Sequence, residues 1–191
     1  MANHLIKSLS MTKVNIGCGW RNFGSDWIHI DGGDYEHLDY KGTVRDLPQF
    51  ENNSIDLIYA SHVIEYFDRS EIIHVLKEWK RVLKPDGKLR LAVPNFAILS
   101  RLYLSGQIEL KNALGPLYGK MKMTDKNIYH KTTYDFKDLK NVLIDNGFSD
   151  IKLYDWWETE HAQFDDHSQA YFPHMDKENG TLISLNVECK K

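Results

Sequence analysis

The sequence predicts an α/β fold: a seven-stranded, mostly parallel sheet that ends in an antiparallel C-terminal β-hairpin. Three observations carry this reading. Short apolar runs alternate with stretches of helical periodicity through most of the chain, the pattern of strand–helix–strand units. The last two strand-like runs have no helical period between them, so they should pair antiparallel. The first apolar run ends in Gly17-Cys18-Gly19, a turn that lets backbone approach a ligand closely at a strand's carboxyl end.

The elements follow in order. Residues 13–17 (KVNIG) read as the first strand, 27–31 (WIHID) as the second and 42–45 as the third. The fourth, 55–60 (IDLIYA), follows the turn-forming ENNS. Asp68 can cap the next helix, with Glu71 three residues on in capping-box position. Ile72, Leu76, Trp79 and Leu83 recur at helical spacing, and Pro85-Asp86-Gly87 stops the run. Residues 88–93 (KLRLAV) make the fifth strand, closed by Pro94. Residues 96–104 look helical, and a second short helix runs to Leu114. Asp135 caps another helix, with Phe136, Leu139 and Leu143 inward and Gly147 as terminator. Residues 148–156 and 181–188 are the sixth and seventh strands.

Composition fits one globular domain. The chain has 191 residues, 42% hydrophobic and 12% aromatic, enough for a single core. Residues 1–12 read as an N-terminal extension and 13–191 as the domain. A net charge of −3 leaves no general nucleic-acid footprint. Cys18 and Cys189 lie at opposite ends of the chain, which argues against a disulfide framework and for a reducing compartment. The start MANHLIKSLSMTK lacks the apolar core of a signal peptide, and no apolar run approaches the ~18 residues of a membrane span. The expectation is a soluble, cytoplasmic chain with neither a membrane nor a nucleic acid as partner.

The opening loop narrows the ligand. Only residues 20–26 separate Gly19 from the second strand. A crossover helix needs about 10–12 residues, so the first one is shortened or absent. A dinucleotide wants a third glycine and a helix N-terminus for its pyrophosphate. A ligand with ribose but no phosphate suits this loop better: the glycines admit it, and Asp31 at the second strand's end can accept from ribose hydroxyls. S-adenosylmethionine (SAM) has that shape.

Further motifs carry a resemblance. Val44-Arg45-Asp46-Leu47-Pro48, Phe50, Asn53-Ser54-Ile55-Asp56, residues 58–65 (IYASHVIE), Glu78, residues 81–87 (RVLKPDG) and Val93-Pro94 resemble the successive motifs of class I SAM-dependent methyltransferases. More narrowly, with YHKTTYDFKDLKNVLIDNGF and the terminal SLNVECKK, the chain is similar to the small bacterial type 11-like group. The resemblance implies a Rossmann-like fold and SAM as cofactor. It implies that Gly17, Cys18 and Gly19 hold the methionine moiety and Asp31 the ribose. Asp46 and Leu47 would meet adenine through a carboxylate and a backbone amide, and Ser61 and His62 would lie near the methyl group. Asn95 stands where that family often has an aspartate, so no acidic role is carried over there.

Methyl transfer needs a base only when the acceptor holds its proton at neutral pH. His62 and His130 are the candidates, against the plainer reading of each as a polar loop histidine. Glu65 reads as an acid favoured at a helix N-terminus. Residues 95–131 would cap the acceptor site, and 158–180 form a flap too long for a hairpin loop. The flap holds His161, Asp165, Asp166, His167 and His174, but their spacing matches no standard ligand set, so no metal is expected. Trp156 and Trp157 could stack on a sugar, although one strand would place them on opposite faces. Lys111, Lys120, Lys122, Lys126 and Lys131 favour an anionic acceptor, or form a solvated lysine-rich loop. Tyr103, Tyr118, Tyr129 and Met121 could line an acceptor pocket or simply pack. The expected acceptor is a small molecule, with O-methylation of a sugar or glycan precursor the first choice by analogy. The rivals are an NAD-dependent oxidoreductase or epimerase, and a SAM-binding partner protein without catalysis.

Overall fold

The computed structural model describes residues 11–123 and 125–191. Residues 1–10 of the expected N-terminal extension lie outside the described residues. Eleven strands and four α-helices follow in order: β1 (Lys13–Ile16), β2 (Trp27–Asp31), β3 (Tyr40–Lys41), β4 (Ile55–Ser61), α1 (Glu71–Val82), β5 (Leu83–Pro94), α2 (Phe96–Leu104), α3 (Leu110–Tyr118), β6 (Met121–Met123), β7 (Lys126–Ile128), α4 (Phe136–Asp145), β8 (Ser149–Leu153), β9 (Tyr171–Phe172), β10 (Thr181–Leu182) and β11 (Ser184–Lys190).

Seven strands form one sheet in the order β3-β2-β1-β4-β5-β11-β8. β1 runs parallel to β2 and β4, and β4 parallel to β5. β11 inserts antiparallel between β5 and β8, as the missing helical period before it required. No helix among the described residues is long and apolar enough to cross a membrane.

The two faces of the sheet are unlike. One is aliphatic: Val14, Ile16, Ile30, Ile58, Leu89, Leu91, Val93, Leu185 and Val187 share a cluster with Ile72, Val75, Leu76 and Trp79 of α1 and Leu139 and Leu143 of α4. Alternation puts the intervening residues on the other face. There stand Trp27, Leu57 and Tyr59, together with the buried polar groups Asn15, His29, Arg90, Asn186 and Glu188. Irregular chain covers this second face. Phe23, from the short link after β1, packs against Trp27 and Tyr59 and stacks on Phe164 at 4.8 Å. Arg90 is held by Glu188 (2.7 Å) and Glu160 (2.8 Å), and Asn186 donates to the Ser168 carbonyl at 2.9 Å.

This explains two features of the sequence at once. Among the described residues no helix joins β1 to β2, as the short link demanded. The long segment before β11 lies where a second helical layer would otherwise pack. His161, Asp166, Ser168 and Gln169 of that segment are buried. It is therefore a built layer of the fold, not a solvated loop.

The helix caps follow the sequence. The Asp68 carboxylate accepts from Glu71 N at 2.9 Å, and Glu71 reaches back to Asp68 N at 3.0 Å, the reciprocal pair of a capping box. Asp135 caps α4 through Asp138 N at 2.8 Å.

Several boundaries differ from expectation. The third strand is Tyr40–Lys41, upstream of the expected 42–45, where these residues pair with Ile30 and Asp31 and Gly42 N completes the ladder on the Asp31 carbonyl. β5 begins at Leu83 and includes the Pro85-Asp86-Gly87 stretch, which was expected only to stop the helix. α3 extends past Leu114 to Tyr118 with Pro116 inside it. β8 ends at Leu153, so Trp156 and Trp157 lie in a 3₁₀ turn (Trp156–Glu158), not on opposite faces of a strand. The seventh run divides: β10 pairs with β9 in its own hairpin, and only β11 joins the main sheet.

Candidate active site

A cavity of about 730 Å³ opens at the carboxyl ends of β1, β2, β4 and β5. It is lined there by Gly17 and Gly19, Asp31, Ser61 and His62, and Pro94. Open α/β sheets bind ligands at this edge because the turns leaving the strands converge on it. The stretch between β5 and α4 and the long segment before β11 supply the remaining wall, with Met121 and Lys122 from β6, His130, and Asp166, His167 and Tyr171.

The glycine turn is conformationally specified. Gly17 has φ +67° and Gly19 φ +57°, values that favour glycine. A Cβ on Gly17 would fall 2.4 Å from Val63 Cγ2, so the position also needs a residue without a side chain. A Cβ on Gly19 would meet nothing within 4 Å, because that side of the turn faces the open cavity. The Asp31 carboxylate closes the turn by accepting from Gly19 N at 2.8 Å and from Gly33 N at 2.6 Å. Each of its oxygens keeps a further lone pair for a ligand.

The link from Gly19 to β2 both closes the chain and borders the site. The His29 ring accepts from Phe23 N at 2.8 Å and anchors the link beneath the sheet. Trp20 and Arg21, one turn earlier, line the cavity. Trp20 is 67% exposed, and the Arg21 guanidinium sits 4.8 Å from its ring.

The expected cofactor residues do not all reach this cavity. Cys18 is buried behind the turn, with its sulfur 3.7 Å from His37 Nε2. Burial foremost, with the Asp31 charge, pushes its thiol up to about 12, so it stays protonated. Asp46 borders a separate cavity of about 210 Å³, with Ile30, Tyr40, Lys41, Gly42 and Thr43, and its carboxylate meets His74 at 2.7 Å. Leu47 is fully buried, and its backbone amide donates to Glu78 Oε1 at 2.9 Å. That amide is committed inside the protein rather than presented to a ligand.

His62 and His130 come together, with ring centres 6.2 Å apart. His62 follows β4 in the left-handed region (φ +55°), where a non-glycine residue is held only by its surroundings. Burial foremost, then the neighbouring His167 and His130, pulls its pKa well below the ordinary value. Burial also lowers His130. Both rings are therefore neutral at neutral pH.

Glu65, expected as an acid favoured at a helix N-terminus, is buried against two histidines. It sits in a 3₁₀ turn (Ile64–Tyr66) with a fully buried side chain, and Oε1 lies 3.5 Å from His62 Nδ1 and 3.7 Å from His130 Nε2. Neither carboxylate oxygen has a hydrogen-bond partner among the described residues. Burial pushes its carboxyl up to about 8. The sequence signal was present in His62-x-x-Glu65, a spacing that brings two side chains to one side of a turn. What it lacked was His130.

The lysine and tyrosine clusters divide. Lys120 and Lys122 line the cavity. Lys111 pairs with Glu109 at 2.9 Å and Lys131 with Glu71 at 2.7 Å. Met121 lines the cavity, whereas Tyr103, Tyr118 and Tyr129 are exposed outside its wall.

Comparison with known proteins agrees with this geometry. Residues 14–91 match the family model for a methyltransferase domain. A search of curated proteins found no match. Among solved structures, the chain is similar to a SAM-dependent methyltransferase from Archaeoglobus fulgidus, at 14% identity and TM-score 0.54 over 95% of this chain and 86% of that one. It is similar to an S-adenosylmethionine-dependent methyltransferase from Mesorhizobium loti, at 16% identity and TM-score 0.55 over 95% and 91%. A third is the 1,6-didemethyltoxoflavin-N1-methyltransferase of Burkholderia thailandensis, solved with its substrate and S-adenosylhomocysteine, at 11% identity and TM-score 0.55 over 94% and 70%. At these identities the structural likenesses speak for the fold, and the family match for the segment that builds the glycine turn, Asp31 and the end of β4. Together they show that residues 14–91 match a methyltransferase domain and that the chain has the fold of these SAM-dependent methyltransferases.

Proposed function

We propose that the chain transfers a methyl group from SAM to a hydroxyl of a small polar acceptor, a sugar or glycan precursor being the first candidate. The observation that carries this is the Gly17–Gly19 turn, clamped by Asp31 and open on a cavity of about 730 Å³. That volume lies in the range of small-molecule sites. In this reading Gly17 and Gly19 admit the methionine moiety and Asp31 accepts from the ribose. Asp46 meets adenine from the smaller cavity beside β3, without help from the Leu47 amide.

SAM supplies a methyl group already activated on a sulfonium, so position and orientation account for much of the rate. The chain's part is to hold the acceptor and handle its proton. Ser61, His62, His130, His167 and Tyr171 give the cavity a polar end suited to hydroxyls. Neutral His62, which lines the cavity, can take the acceptor's proton. Residues 95–131 serve as the acceptor-site cap, and Lys120 and Lys122 favour an acceptor that carries negative charge.

Calorimetric titration tests the reading. SAM and S-adenosylhomocysteine should bind in the micromolar range and NAD should not. Binding of NAD without SAM would overturn it. SAM binding with no turnover across a broad panel of sugar and small-molecule hydroxyls would favour a binding protein without catalysis.

A further inference from the structure

We propose that His62, Glu65 and His130 form a site for one divalent transition-metal ion, Zn²⁺ or Fe²⁺ in character, set into the wall of the main cavity. The proposal departs from the expectation of no metal, which was drawn from the flap histidines alone.

The donor atoms are arranged for an ion. One ligand atom from each residue falls within 4.8 Å of the others. Glu65 Oε1 is 3.5 Å from His62 Nδ1 and 3.7 Å from His130 Nε2. Metal bonds of about 2.0–2.1 Å in tetrahedral geometry separate neighbouring donors by about 3.3 Å. Two edges of the triangle are thus close to those of a bound ion before any adjustment.

The protonation pattern points the same way. His130 Nδ1 lies 3.0 Å from the Pro116 carbonyl oxygen. A carbonyl only accepts, so Nδ1 carries the ring proton and Nε2 presents a lone pair towards Glu65. A histidine ligand is oriented in this way when its other nitrogen donates to a backbone carbonyl. Glu65 has no exposed side-chain surface, and neither of its oxygens finds a hydrogen-bond partner among the described residues. His130 Nε2 cannot donate to Glu65, and neither carboxylate oxygen has a hydrogen-bond partner among the described residues, so a cation would supply the charge that the ionised, buried side chain lacks.

The frame is rigid enough to hold the set. Lys131 N and Thr132 N donate to the Glu65 carbonyl at 2.7 and 3.3 Å, tying the 3₁₀ turn to the His130 segment. His62 N donates to the Ala92 carbonyl at 2.8 Å and fixes the strained residue against β5. Two imidazoles and one carboxylate suit Zn²⁺ and Fe²⁺ and leave coordination positions open. His62 and His130 line the cavity, so those positions face the acceptor, whose oxygen or a water would complete the shell. This deepens the proposed function and rests on it only for the acceptor's identity. An ion on Nδ1 of His62 puts that ring's proton on Nε2, so a bound ion, rather than His62, would lower the acceptor hydroxyl's pKa.

The test titrates ZnCl₂ into the chelator-stripped full chain by calorimetry, and follows Co²⁺ by its visible absorption. One equivalent should bind, and Co²⁺ should show the intense bands of a low-coordinate site. Glu65→Gln should weaken Zn²⁺ by more than about 100-fold, since changes one shell further out already cost 10–100-fold. His62→Asn, which tolerates the left-handed backbone, should weaken it comparably. No uptake by the wild-type chain, or uptake unchanged in Glu65→Gln, would overturn the site. Where a variant fails to fold by thermal melting, the wild-type Co²⁺ spectrum decides, and six-coordinate bands alone would overturn it. SAM titrated into the wild-type chain in parallel keeps a failure of the cofactor reading separate.

Discussion

In the proposed reading Asp31 both closes the glycine turn and accepts from the ribose, two roles whose energies can be separated. Its carboxylate accepts from Gly19 N at 2.8 Å and Gly33 N at 2.6 Å, and the residue is 6% exposed. Asp31→Ala strands both amides. A hydrogen bond to a charged group contributes about 1.5–3 kcal/mol, but water can enter from the cavity side, so a stability loss of about 2–4 kcal/mol is expected. Asp31→Asn keeps one accepting oxygen and turns an NH₂ towards the other amide, for about half that loss. Ribose recognition adds a separate loss in binding. Removing the carboxylate should raise the Kd for SAM about 100-fold, equivalent to roughly 2.8 kcal/mol at 1.4 kcal/mol per tenfold. Urea unfolding gives the first quantity and calorimetry with S-adenosylhomocysteine the second. If Asp31→Ala is destabilised as expected but binds the cofactor with wild-type affinity, Asp31 only organises the turn and its ribose role is refuted. If stability is unchanged, the clamp itself is wrong.

Other outcomes follow from the same geometry. Gly17→Ala forces a side chain into the left-handed region and against Val63, at a cost of about 2–5 kcal/mol from strain and overpacking together, read by urea midpoint. Phe23→Ala opens the aromatic packing that stands in for the first crossover helix. It should cost about 3–5 kcal/mol and raise hydrogen exchange in residues 20–26. For Glu188 and Glu160, burial raises the carboxyl pKa, but hydrogen bonds and charge from Arg90 outweigh it and hold both below the ordinary range. Their contribution is therefore complete above the unfolded value of about 4.3 and is lost as pH falls through the lower native values. Urea midpoints measured downward from neutral pH should fall in that acid window, and Arg90→Gln should flatten the fall.

Much of the architecture was legible because it depends on local pattern. The short apolar runs of β1, β2, β4 and β5, the capping pair Asp68 and Glu71, and the missing helical period before β11 each constrain residues close in sequence. The length of residues 20–26 alone implied a first crossover helix that is shortened or absent. Boundaries moved where pairing between strands decided them, as at β3, where Tyr40 and Lys41 pair with Ile30 and Asp31. Trp156 and Trp157 were misplaced because extended and 3₁₀ backbone share the same residue types over so short a run.

The site divides in the same way. Gly17, Gly19, Asp31 and His62 could be named from sequence because each stands at a strand end, and strand ends converge in this kind of sheet. The commitment of the Leu47 amide to Glu78 depends on how α1 packs, and no local pattern encodes it. Nor could Glu65 be separated from a solvated helix-end acid, since its meaning comes from His130, which reaches it only through the turn after β7. The sequence by itself determined the sheet, the glycine turn without a full helix after it, and the acid at the second strand's end, because those follow from periodicity and chain length. Tertiary structure alone decided that irregular chain covers the second face, and that two histidines close on a buried carboxylate. Both depend on contacts between residues far apart in the chain, where packing rather than local propensity selects the partner.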